Sequence, residues 1–220
     1  MKRRNEIYKG LVIIIILSLT ISIPVVLADW YLDAQYTSDM VTFELECEAI
    51  YDWMDGEEYD EEEWLVWLCE DWPKEDIIDT SMGWAKVWHF AGHGNYISGS
   101  NNWIIADDGN IRAWEIPDLD DVEEGGGNCL LMFFNACHSG RINWLLPNRW
   151  LTFESISEGA KASIGHEDTV TVGEGFDFAD KFYELTSEGE NVGDAFDDAK
   201  DYSDAEDVVI RGNQNTVLVN

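Results

Sequence analysis

The chain has 220 residues, 45% of them hydrophobic and 13% aromatic, which suffices for one packed domain and excludes disorder as its main state. Asp and Glu number 45 against 13 Lys and Arg, a formal net charge of −32. So acidic a chain repels nucleic-acid phosphates, whose binding rests on Lys and Arg, and nucleic acid is excluded as a partner class.

Lys2, Arg3, Arg4 and Lys9 precede an apolar run over residues 11–28 that closes on Val26, Leu27 and Ala28. Basic, apolar and small-residue regions in that order describe a secretory signal, or an N-terminal membrane anchor if it is not cleaved. Residues 1–28 are therefore read as leader or anchor and 29–220 as one exported domain, secreted or held at the membrane only through the leader. The exported part carries 9 basic and 44 acidic residues, a net −35, which reads as a surface adapted to a salty, halophilic exterior. The acidic runs 55–63 and 118–124 could attract calcium, but neither fits the EF-hand loop, so a structural calcium site has no motif behind it. The four cysteines, Cys47, Cys69, Cys129 and Cys137, are too few for a disulfide scaffold, and neighbourhood favours Cys47 with Cys69 if one pair forms.

Along the exported part, Trp30–Tyr36 reads as a strand. Met40, Phe43, Cys47, Ile50 or Tyr51, and Met54 have helical spacing. Trp64, Trp67 and Leu68 suggest a second short helix ended by Pro73. Residues 87–90 form a compact β-type run ending at Gly92-His93-Gly94. Residues 129–135, almost wholly apolar, read as a strand buried on both faces, the habit of parallel sheets. Helices follow at 151–158, around Phe176 to Tyr183 and around Val192 to Ala199, with a strand at 162–165 and two short closing strands at 208–211 and 216–219. Strands alternating with helices predict an α/β fold, a three-layer sandwich around a mostly parallel sheet. In such sheets ligands bind beyond the carboxyl ends of the strands.

His93 and Cys137 each follow a buried run there, among small residues, 44 positions apart. A thiolate attacking a carbonyl needs an imidazole to handle protons and backbone N–H donors for the oxyanion. The segments 87–94 (VWHFAGHG) and 131–140 (LMFFNACHSG) resemble those of the caspase-like cysteine peptidases, the group of caspases, legumains, clostripain, gingipains, separases and CHAT-domain proteases. Residues 159–165, Phe182-Tyr183 with 192–196, and 209–213 resemble the later strand, helices and closing strand of gingipain- and CHAT-like members. The resemblance spans residues 85–220. It implies endopeptidase activity on protein or peptide substrates, with Cys137 as nucleophile, His93 protonating the leaving amine, and the N–H groups of Gly94 and Cys137 holding the oxyanion. No cofactor is implied for the chemistry. In basic-specific relatives a carboxylate in the pocket pairs with substrate Arg or Lys, and Glu167 and Asp168 fall about where such pocket residues come.

Two other readings compete. His89 and His93 have a zinc-like spacing, but Gly92 and Gly94 disfavour a helix and Phe90 stands where a metalloprotease carries Glu. The alternative is a catalytically inactive exported module that keeps the fold and binds a protein partner, with Trp144, Pro147 and Trp150 suspected of lining a groove. Oligomeric state is left open, since an edge strand completed by a second copy or a partner would suit the lean N-terminal half.

Overall fold

The computed structural model describes residues 30–54, 65–98, 100–120, 129–142 and 150–218. In chain order its elements are β1 (Trp30–Tyr36), α1 (Val41–Met54) and β2 (Leu65–Glu70), then a helical turn (Lys74–Asp76) running into a π-helical segment (Ile77–Met82). There follow β3 (Val87–Ala91), β4 (Gly94–Ile97), β5 (Asn101–Ala106), β6 (Gly109–Arg112), β7 (Leu131–Asn135) and α2 (Leu151–Ser157). The chain closes with β8 (Ala162–His166), α3 (Val172–Ser187), α4 (Val192–Ser203) and β9 (Val208–Gly212).

Six strands form the central sheet in the order β2-β1-β3-β7-β8-β9, parallel except for β9, which runs antiparallel to β8. Strands β3, β7 and β8 are buried at every position, as continuous apolar runs require when both sheet faces are covered. Alternation then divides the side chains between two cores. On one face Leu32, Val87, Phe133 and Ile164 pack against Ile50 of α1 and against Phe178, Phe182 and Tyr183 of α3. On the other, Trp88, Phe90, Met132 and Phe134 pack against Ile77, Met82 and Leu151, and against Ile104 and Ile111 of a separate antiparallel sheet, β4-β5-β6. The result is the expected three-layer α/β sandwich.

Three local expectations are corrected. Residues 65–70 form an edge strand rather than a helix: they lie parallel to β1, with Gln35 opposite Cys69. The Trp64-Trp67-Leu68 spacing is helical, but so short an apolar run takes whichever backbone pairing the tertiary structure offers. Residues 216–218 make no strand, only a bridge from Val217 to Asn191, because Thr216 turns back on Asn213 and its carbonyl accepts from Val192 at the start of α4. All four cysteines are free thiols. Cys47 packs with Ala34 on the α1 face of the sheet, whereas Cys69, opposite Gln35, points to the other face, so strand alternation keeps the two apart. Residues 1–28, read above as leader or anchor, and the acidic run 55–63 lie outside the described residues, as do 121–124 of the second acidic run.

Candidate active site

Adjacent parallel strands β3 and β7 are in register, Ala91 opposite Asn135. Two residues beyond that pair, one chain segment carries His93 and the other Cys137, so equal strand lengths bring both to the carboxyl edge of the sheet. Gly92 N–H donates to the Asn135 carbonyl at 3.2 Å and continues the ladder past the strand ends. At Gly94 a Cβ would lie 2.2 Å from the Cys137 carbonyl oxygen and 3.0 Å from Ala136 Cβ, a crossing that only glycine permits.

The two residues line one cleft of about 170 Å³. Its walls are Phe43 and Glu46 from α1, Gly92 and His93 after β3, Asn135 and Cys137 at the end of β7, and residues 170–172 with Gly175 at the start of α3. Cys137 is half-buried, and its Sγ donates to the Val170 carbonyl at 3.6 Å. His93 is exposed, set edge-on to Phe43, with Nε2 2.7 Å from Asp39 Oδ2. A carboxylate can only accept, so Nε2 carries the proton and Nδ1 is left as the basic nitrogen. Partial burial raises the Asp39 carboxyl, and hydrogen bonding, that from His93 included, more than offsets it, leaving it below the usual carboxylate range.

Beneath the cleft lies a buried polar network. Glu46 Oε1 accepts from His89 Nε2 and from Asn135 Nδ2, each at 2.7 Å. Asn135 Oδ1 accepts from His166 Nε2 at 2.8 Å, and the Tyr183 hydroxyl sits 3.4 Å from His89 Nδ1. Burial pushes His166 down to about 3 and raises Tyr183 well above its ordinary value, so both stay neutral and donate. Every member is buried, and such a network is rigid only because its members satisfy one another. It locks the last residue of β7, two positions before Cys137. Gly175 makes room for it, since a Cβ there would lie 2.8 Å from Asn135 Oδ1.

Of the residues singled out in the sequence, His93, Gly94 and Cys137 come together. Glu167 and Asp168 do not join the cleft wall. Glu167 faces Arg211 at 3.5 Å, and Asp168 accepts from Thr169 N–H at 2.8 Å, with its Oδ1 3.6 Å from His138 Nδ1. His89 is buried in the network while His93 is exposed beside Asp39, so the pair shares no metal position. Among the described residues no group of three or more His, Cys, Asp or Glu gathers to hold a metal. Trp150, suspected of lining a groove, is 1% exposed and belongs to the interior, while Trp144 and Pro147 lie outside the described residues. Asp39, Glu46 and Asn135 were not singled out. Glu46 alone left a signal, a carboxylate on the buried stripe of α1 between Phe43 and Cys47.

A Cys and a His on adjacent strand ends of a parallel sheet covered on both faces define the caspase-like cysteine peptidase fold. The family model of peptidase family C25, the gingipain family, matches residues 27–219, and the chain belongs to that family. Among solved structures it resembles the Arg-specific cysteine proteinase gingipain R (RgpB) at a TM-score of 0.55 and 14% identity, over 86% of this chain and 48% of that one. The complex of Porphyromonas gingivalis RgpB pro- and mature domains matches at a TM-score of 0.55 and 13% identity, over 85% of this chain and 48% of that one. The chain thus spans about half the length of these structures. No curated protein sequence matches it. Among the described residues no helix is long and apolar enough to cross a membrane.

Proposed function

We propose that this chain is an exported cysteine endopeptidase that cleaves through Cys137 and His93. The observation that carries the reading is that both side chains line one cleft, with Gly94 seated against the Cys137 carbonyl. His93, through Nδ1, takes the thiol proton, and Cys137 Sγ attacks the scissile carbonyl. The N–H groups of Gly94 and Cys137 hold the oxyanion. His93 then protonates the leaving amine, and water hydrolyses the thioester on Cys137. Asp39 accepts from Nε2 and steadies the imidazolium in between. Export rests on the order of basic, apolar and small residues in 1–28. No metal or organic cofactor enters these steps.

A preference for cleavage after Arg or Lys is part of the proposal. The chain carries 45 acidic residues, and the exposed carboxylate of Asp39 stands beside His93. The similar gingipain R is itself described as Arg-specific. The test is digestion of a mixed peptide library in high salt by the full chain and by Cys137→Ala. Cleavage after basic residues by the parent alone is the expected result. Cleavage after acidic residues would remove the specificity, and a folded parent that cuts nothing would move the assignment to a partner-binding module.

A further inference from the structure

A second cluster sits beside the dyad and shares no residue with the cleft wall. Tyr96 lies three positions after His93 on β4, and His138 directly follows Cys137. Their ring centroids are 4.5 Å apart. The Arg141 guanidinium lies over the same Tyr96 ring, 4.2 Å from its centroid. In a chain with 45 acidic residues, Arg141 pairs with no carboxylate among the described residues. Asp168 Oδ1 lies 3.6 Å from His138 Nδ1, which makes no hydrogen bond of its own.

The backbone under Arg141 is fixed. The buried Asn102 of β5 donates from Nδ2 to the carbonyls of His138 and Ser139 at 2.8 Å and of Arg141 at 3.4 Å, and accepts from Leu151 N–H at 2.9 Å. Gly140 N–H donates to the His166 carbonyl at 2.8 Å, and a Cβ on Gly140 would lie 2.6 Å from Gly165. His138 adopts a left-handed φ of 61° to make the turn. A guanidinium laid on an aromatic ring over a pinned backbone is pre-organised for a planar, two-point anion.

Building on the peptidase reading, we infer that Arg141, on its Tyr96 platform, forms a subsite that binds a carboxylate of the substrate next to the scissile bond. The carboxylate is an acidic side chain flanking the cleaved position or the substrate's own C-terminus, both of which offer two coplanar oxygens to the guanidinium fork. The subsite therefore selects a second feature of the peptide, independent of the residue in the cleft.

The test uses the full chain and quenched peptides that differ only by Glu or Gln at one flanking position, each with a free or amidated C-terminus. At one position the parent should cleave the Glu peptide with a kcat/KM about tenfold above the Gln peptide, as a charge-assisted bidentate contact implies. Arg141→Gln should bring that ratio close to one. Arg141→Lys, which keeps the charge and loses the fork, should fall between. Discrimination seen only between free and amidated ends assigns the carboxylate to the substrate terminus. Equal cleavage of all pairs by an active parent, or a ratio untouched in both variants, overturns the subsite and leaves the peptidase standing. If the parent cleaves nothing, binding of the same labelled peptides to Cys137→Ala decides. There, Arg141-dependent preference for the acidic peptide supports the subsite, and equal or absent binding overturns it.

Discussion

Gly94 and Cys137 touch through backbone alone: a Cβ on Gly94 would stand 2.2 Å from the Cys137 carbonyl oxygen. This contact sets the distance between the two loops that carry His93 and Cys137. Gly94→Ala should force them apart and lower kcat/KM by about a hundredfold, since misplacement on the ångström scale costs that much. Overpacking should take about 1–3 kcal/mol from stability. Steady-state kinetics and thermal unfolding on the same sample check both, and parental activity in a folded Gly94→Ala enzyme would refute the contact's role.

Asp39 holds His93 by a single bond of 2.7 Å on an exposed surface. Asp39→Asn keeps the shape but removes the charge that steadies the imidazolium, so kcat should fall by about tenfold to a hundredfold. A split between kcat and KM separates this from a structural effect: kcat should fall with KM and the unfolding midpoint near the parental values, and an unchanged kcat would count against any coupling of Asp39 to His93.

The four thiols should differ sharply in reactivity. Cys129 is fully buried and pushed up to about 12, Cys47 and Cys69 are raised by burial as well, and Cys137 alone is partly exposed. Since the accessible thiolate is the reactive species, iodoacetamide should label Cys137 at least about tenfold faster than the others. Peptide mapping after a short exposure reads this directly, and uniform slow labelling would speak for a non-catalytic module.

Asp33 makes stability depend on pH. It is wholly buried on the face of β1 opposite α1, its Oδ1 accepting from Gln35 Nε2 at 2.7 Å, and desolvation raises it from 3.8 to about 6. The folded value lies above the unfolded one, so this stabilisation is full below about pH 4 and is lost as pH rises through about 6. His166 works in the other direction. Its folded value of about 3 lies below 6.5, so its contribution is present above pH 6.5 and lost on acidification. Asp33→Asn isolates the first effect. Relative to the parent it should gain up to about 3 kcal/mol at pH 8 and little at pH 4. Denaturant unfolding at the two pH values measures the difference, and an equal change at both would show that Asp33 does not titrate in this range.

The legible parts of the fold are those where local pattern and tertiary role agree. β3, β7 and β8 announce themselves because strands covered on both faces are mostly apolar, with the few polar exceptions paired inside. β2 carries helical spacing yet pairs with β1, and the β4-β5-β6 sheet is short and polar enough to pass for loop. His93 and Cys137 were legible because each ends an apolar run among small residues. Asp39, 54 positions from His93, and Glu46, 89 positions from Asn135, were not, because no local pattern records a partner so distant.

By itself, then, the sequence determined the layered α/β class, the two strand ends where His93 and Cys137 follow, and the acidic character of the chain. These follow from periodicity and composition, which act over neighbouring residues. Only the tertiary structure decided that Asp39 holds His93, that Glu46, His89, Asn135 and His166 lock the floor beneath Cys137, and that Glu167 and Asp168 stand outside the cleft. Strand register and helix packing set those contacts, and both depend on the whole chain burying its two cores at once.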